Sequence, residues 1–407
     1  MSTFIIASVA ESHWIPIVLR HLAVIIGLLL FWAAIMAATG VMLVPRPTNQ
    51  RLAVWVGRAC HFIFKMITRR AKNFAQLDRY LAVQGPATVL VYLTQFLFIF
   101  VVAFAFLFYG VTGCPVTQAF YDSGSSMSTL GVMQGSGFRA MTVMFVSAFT
   151  GTTVVSVFIG FLLTLYSAYT ARETYMSKVA MVCGEPGWGP EMVVRMRKLQ
   201  LETDPDGARQ CINWICAMRV SQYIYPLLNH FRSPVRDRHW TVTLLATLDA
   251  AAIRLAAVDP EMNMDLLRVL AQGADACHAL RASEMSRTTG GDAEGAMLTW
   301  LIEESLLAQS DAHPAPDPGI TRAEWDRAMD FLTSHGVELR PDRDASWRAF
   351  CRVRQHYVGP AYFLTRHLNA VHAPWSGPRD QAFNFPLVWP LMARKAFAPT
   401  VGDSGLT

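Results

Sequence analysis

Three stretches of the first 171 residues contain no Asp, Glu, Lys or Arg: residues 21–45, 80–121 and 140–171. A membrane-spanning helix needs about 20 mainly apolar residues, so each stretch is long enough. The predicted spans are Leu22–Val44, Thr88–Phe108 and Met141–Tyr166. Buried helices of a large soluble domain are the alternative, but such helices rarely run past about 20 residues. A removable signal peptide fits poorly, because no basic residue precedes Arg20 and the first apolar run is too long. Met1 is therefore expected to belong to the mature chain.

The rest of the chain belongs to a different solvent. Charged side chains make up 16% of the 407 residues, against about 25% in an ordinary soluble protein. Residues 1–171 hold ten Lys/Arg and three Asp/Glu, whereas residues 172–407 hold 25 and 27, so the net charge of +5 is split unevenly. This excludes a single soluble globule, a disordered chain, and a nucleic-acid binder working through an overall basic surface. A wholly embedded transporter is excluded too, since well over half the chain has soluble composition. The predicted organisation is a transmembrane domain over 1–171 and a helical cytoplasmic domain over 172–407.

Basic residues set the orientation. Arg46, Arg51, Arg58, Lys65, Arg69, Arg70, Lys72 and Arg79 face a single Asp78 between the first two spans, so this loop is expected in the cytoplasm. The N-terminus is then outside, the C-terminal domain inside, and the chain a multi-pass protein of the cell inner (plasma) membrane. Within segment 51–72 the basic residues Arg51, Arg58, Lys65 and Lys72 recur every seven residues with apolar residues between them. That pattern suits an amphipathic helix on anionic lipid, or one packed on the protein's own cytoplasmic domain.

Between the second and third spans runs Ala119-Phe120-Tyr121-Asp122-Ser123-Gly124-Ser125-Ser126-Met127-Ser128-Thr129-Leu130-Gly131-Val132-Met133-Gln134. A short apolar helix, Val116–Tyr121, followed by a hydroxyl-lined strand is expected. Non-helical backbone at membrane depth is tolerated only where protein buries it or where it lines a water-filled path. A re-entrant pore loop over 116–134 meets that condition.

This hairpin resembles the pore of the tetrameric potassium-channel superfamily in its two-helix form. The superfamily pattern of Ala-x-Tyr-x-Ser, hydroxyls and then T-V-G-Y-G-D is matched at Ala119, Tyr121, Ser123, Ser126, Ser128, Thr129 and Gly131, with Leu130 for the valine. The resemblance implies that Ser128, Thr129, Leu130, Gly131 and Val132 present oxygens that replace an ion's hydration shell. It also implies a permeant monovalent cation, with potassium the expected ion, and no other cofactor. Ser126, Met133 and Gln134 would shape the filter. Val132 stands where the family has an aromatic residue, Met133 where it has its second glycine, and Gln134 where it has an acid. A wider or differently folded outer filter with weak potassium selectivity, another permeant cation, or no conduction follows from these departures. Gly135 or Gly137 could supply the missing turn. Gly151 lies roughly where the family's inner-helix hinge falls, and Gly160 further in; either a hinge or close helix packing accounts for them.

One hairpin cannot enclose a pathway, so a homotetramer is expected. Residues 172–407 read as helices over Pro190–Leu201, Ala208–Phe231, Trp240–Ala257, Met262–Arg287, Ala293–Gln309, Thr321–Ser334 and Asp342–His372, with a loop at 311–319 and an irregular tail at 373–407. The segment Ser221–Phe231, with Tyr225-Pro226 and His230-Phe231, resembles a group of bacterial potassium-channel-family proteins that follow their pore with a helical domain. Gly184–Pro190 reads as a rigid connector. Seven Cys form no C-x-x-C pair, and no catalytic motif is found, so no enzyme is expected. The expected function is passive cation conduction gated by the helical domain, against a non-conducting membrane-anchored sensor or adaptor that keeps a pore-like fold. The cytoplasmic ligand or partner is left open.

Overall fold

The computed structural model describes residues 2–42, 51–132, 137–201, 205–259, 263–289, 318–379 and 387–397. Met133, Gln134 and Gly135, the expected helix over 293–309, most of loop 311–319 and about half of the tail lie outside them; the described part of the tail, expected to be irregular, holds a helix over Leu391–Phe397. In chain order the helices are α1 (Ser2–Met42), α2 (Arg51–Thr68), α3 (Phe74–Thr112), α4 (Val116–Met127), α5 (Phe138–Cys183), α6 (Gly189–Lys198), α7 (Pro205–Ile224), α8 (Trp240–Ile253), α9 (Met264–Thr289), α10 (Arg322–Ser334), α11 (Arg343–His367) and α12 (Leu391–Phe397). Among the described residues there is no strand. This is an all-α protein carrying several helices long and apolar enough to cross a membrane. The first two expected spans fall inside α1 and α3, apart from residues 43–44, which are outside the described set, and the third falls inside α5.

The chain divides into two compact units, Met1–His61 with Pro86–Tyr166, and Phe62–Gly85 with Ser167–Thr407. The first is organised by close helix approach. Gly27 of α1 admits the Ala103 carbonyl and Leu107 of α3, since a Cβ there would lie 2.9 Å from each, and Gly110 likewise admits Val24. Small residues of this kind let helices pack where lipid supplies no hydrophobic driving force. Phe31 meets Phe100 and Phe104 edge-on at 5.9 and 5.4 Å. Arg20 donates to the Gly110 and Val111 carbonyls, satisfying groups that the end of α3 leaves unpaired.

In the second unit, α8 is buried along its whole length. By length and composition Trp240–Val258 is a fourth candidate span, but 89% of its apolar window is buried inside the protein, against 17–39% for the other three. A helix apolar on every face needs cover on every face, and here helices α6, α9 and α11 supply it. At its middle Asp249 accepts from Arg354 Nε and Nη2 at 2.8 and 2.9 Å and from the Tyr357 hydroxyl at 2.8 Å. Removing one partner of such a pair strands a buried charge. The neighbouring helices start on side-chain caps: Thr321 with Glu324 forms a capping box on α10, and Asp342 caps α11.

Helices α7 and α11 end sooner than their sequence suggests. α7 stops at Ile224, and Pro226–His230 forms a separate 3₁₀ turn, because Pro226 has no N–H to give and restricts Tyr225 before it. α11 stops at His367, where Asn369 takes a left-handed φ of +49°.

Candidate functional site

The hairpin between α3 and α5 is built on α4. Serines that read as a hydroxyl-lined strand are helical instead, as α4 runs on to Met127. Their small side chains allow tight seating, and the hydroxyls of Ser123 and Ser125 are hydrogen-bonded. Ser123, fully buried, donates to the Val101 carbonyl of α3 at 2.7 Å, and Ser128 donates to the Gly124 carbonyl at 2.7 Å. Met127 joins Phe100, Phe104, Phe108 and Val154 in the core of the first unit. The end of α4 rests on α5 at Gly151, where a Cβ would stand 2.3 Å from the Met127 carbonyl oxygen. Gly151 is thus a contact glycine. Gly160 has nothing within 4 Å of a would-be Cβ among the described residues.

Beyond Met127 the backbone closes α4 with a reversed turn. Thr129 N–H donates to the Ser126 carbonyl and Leu130 N–H to the Ser125 carbonyl, each at 3.0 Å, the paired bonds of a Schellman motif. The left-handed residue in that motif is normally glycine. Here it is Thr129, at φ +56°, a conformation that its branched side chain resists. Such strain is held in place by surrounding structure, and it concentrates at functional sites. Thr129 Oγ1 donates to the Ser128 carbonyl at 2.7 Å, and the Val132 N–H donates to Ser125 Oγ at 3.2 Å. Gly131 is left-handed as well, at φ +67°, and no neighbour crowds it, so backbone conformation alone demands glycine there.

The five residues Ser128–Val132 therefore form one short segment, exposed in the single chain, with Leu130 at 71% and Val132 at 56% exposure. Ser126 lies directly behind it, 3% exposed, and its hydroxyl has no hydrogen-bond partner among the described residues. Asp122, also buried, accepts from Gln118 Nε2 at 2.8 Å. On α5 the hydroxyls of Thr150, Thr152, Ser156 and Thr164 each bond the carbonyl four residues back. Among the described residues no cluster of three or more metal-ligating side chains occurs.

A second arrangement was not visible in the sequence. In the second unit the turn Pro226–His230, with Phe231 after it, holds the near ends of two long helices that also run through the first unit. On α5, Arg172 donates to the Leu228 and Phe231 carbonyls at 3.0 and 2.7 Å, and the Tyr169 hydroxyl donates to the Arg232 carbonyl at 3.1 Å. On α3, Gly85 lies against the ring of Phe231, and Asp78 pairs with Arg232 at 3.6 Å. The rings of Tyr169 and Phe231 are 5.7 Å apart. Burial pulls Arg232 down to about 10, with Asp78 opposing the shift. The Tyr-Pro pair carried a sequence signal for the break. Nothing in the sequence marked Gly85 or Tyr169 as its partners.

On α2 the apolar side chains Phe62, Ile63, Met66 and Ile67 are exposed, beside Lys65, Arg69, Arg70 and Lys72, which are also exposed. No protein-family model, curated protein or solved structure matches the chain.

Proposed function

We propose that the protein is a homotetrameric cation channel of the inner membrane, in which four copies of Ser128–Val132 surround one pathway and ions cross by electrodiffusion. The observation that carries the reading is the left-handed backbone at both Thr129 and Gly131. Along an ordinary extended strand successive carbonyls point to opposite sides. Inverting φ at alternate residues turns them toward one side, as a ring of ion-coordinating oxygens requires. The strain at Thr129 is then the cost of that geometry, and it is held by the Ser123 and Gly151 anchors of α4.

Short-branched Val132 offers no ring to brace the outer filter, so selectivity for potassium over sodium should be weak. The Phe231 turn, which touches α3 at Gly85 and α5 at Tyr169, would pass movement of the helical domain to these two helices. The basic loop sets the N-terminus outside and the helical domain in the cytoplasm. The exposed apolar stripe of α2, flanked by lysines and arginines, fits anionic lipid.

The test is cation flux from liposomes holding the purified protein. Flux from wild type that disappears in Gly131→Asp supports the pathway, and no flux from wild type, or flux untouched by that substitution, sinks it. Val132, Met133 and Gln134, which depart from a standard filter, favour a second reading: a non-conducting membrane-anchored sensor or adaptor. Oligomeric state in mild detergent separates the two, since a monomer or dimer is incompatible with a fourfold pathway.

A further inference from the structure

We infer that the second unit carries a binding site for a small single-chain amphiphile with a carboxylate head, seated against the cytoplasmic end of α5. A cavity of about 330 Å³ opens there between α5, α6, α7, α8 and α9. Ligand sites commonly span about 300–1,000 Å³ and combine an apolar body with a few polar groups. The floor is apolar and made of short side chains where α8 passes, at Ala250 and Ala251. Met192 and Met196 of α6 form one side, and unbranched thioethers of this kind adapt to a flexible guest.

The rim decides the sign of the head group. Three lining side chains carry charge: Lys178, Arg254 and Asp265. Arg254 is taken up by Asp259, with hydrogen bonds of 3.3 and 3.1 Å, and Asp265 by Arg268 at 3.0 Å. Lys178, exposed on α5 at the mouth, has no carboxylate partner among the described residues. Gln210 and Asn263 stand on the same lining, and Asn263 spends its side-chain oxygen on the Asp265 and Leu266 N–H groups at the start of α9. An apolar floor under an ammonium group with no carboxylate partner among the described residues is complementary to an alkyl chain ending in a carboxylate. It is a poor match for a cation or a sugar. The occupant would touch α5 on one side and α6–α9 on the other, so its presence bears on how that helix end is held.

The test reads binding rather than ion flux, so it stands apart from the conduction reading. The full chain in lipid nanodiscs is photolabelled with decanoate bearing a terminal diazirine, and the adducts are mapped by mass spectrometry. Adducts are expected at Met192, Met196 or Leu266, competed by decanoate and much less by decanol. Lys178→Glu should weaken decanoate about tenfold, the weight of one charge-assisted hydrogen bond, and leave decanol unchanged. Ala251→Phe should remove labelling by filling the floor. Ala208→Leu does the same from α7 should the first variant misfold, with circular dichroism confirming the fold of each. Labelling confined to the spans, or labelling of the cavity that neither Lys178→Glu nor the filling variants reduce, overturns the inference.

Discussion

The ring of Phe231 occupies the space that a side chain at Gly85 would need: a Cβ built on Gly85 would stand 2.7 Å from Phe231 Cδ2. The same ring packs beside Tyr169 at 5.7 Å, so one aromatic residue of the helical domain touches both α3 and α5. The two positions should therefore be energetically coupled. Gly85→Ala is expected to destabilise the wild type and to be close to neutral once Phe231→Ala has cleared the space. The non-additivity should be about 0.5–3 kcal/mol. A double-mutant cycle on thermal midpoints checks this, and simple additivity would refute the contact as an energetic link.

Thr129 gives a prediction with two signs. Left-handed backbone costs a branched residue about 1–2 kcal/mol, while glycine costs about 0.5–1 kcal/mol in lost chain entropy. Thr129→Gly should therefore be no less stable than the parent, yet should conduct less in the liposome assay because the segment is no longer held by its side chain. Lower stability would mean that Thr129 is not strained where it stands.

The glycines of α5 should separate cleanly. Gly151→Ala places a methyl group 2.3 Å from the Met127 carbonyl oxygen, so it is expected to unseat α4 and abolish flux. Gly160→Ala meets nothing among the described residues and should gain about 0.5–1 kcal/mol from helix propensity. If flux falls while the Gly160→Ala protein stays folded and tetrameric, Gly160 is bending or contacting another subunit.

His239 should make the helical domain acid-sensitive. Its ring accepts from the Thr241 N–H at 3.3 Å at the start of α8. Burial, with added repulsion from Arg232, Arg172 and Arg379, holds the imidazole well below its ordinary 6.5. The unfolded chain then binds more protons than the folded one below about pH 6.5, so stability should be lost as pH falls through that value. His239→Asn keeps a capping side chain and removes the titration. Melting curves between pH 5 and 7.5 should be flatter for this variant, and an unchanged slope would assign the acid sensitivity elsewhere.

The Asp249–Arg354 pair should behave as an all-or-none element. Asp249→Asn leaves Arg354, fully buried, without its counter-charge and should cost about 3–5 kcal/mol. Adding Arg354→Gln should return part of that loss, as read by urea unfolding of the full chain through tryptophan fluorescence.

How much of this was legible beforehand depended on the range of the signal. Charge-free runs are local, so the spans and the helical class could be read directly. Caps such as Asp342 and Thr321 are local too. Ser123–Met127 misled because serine-rich sequence suits either a strand or a helix, and the choice was made by a contact 22 residues away, the Val101 carbonyl. Gly151 could be placed near a hinge or a contact by spacing alone, and its closeness to Met127 is visible only in the fold. The Phe231 turn joins positions as far apart as 85 and 231, and no periodicity carries that information.

α8 has one more consequence, for how the chain is made. To the machinery that inserts nascent helices, a 19-residue apolar stretch such as Trp240–Val258 reads as something to thread into the bilayer. Asp249 stands at its midpoint, where an acidic residue weighs against insertion by about 2.5–3.5 kcal/mol. The carboxylate that anchors Arg354 in the finished fold would thus already act during synthesis, weighing against insertion of a helix whose final place is inside the second unit.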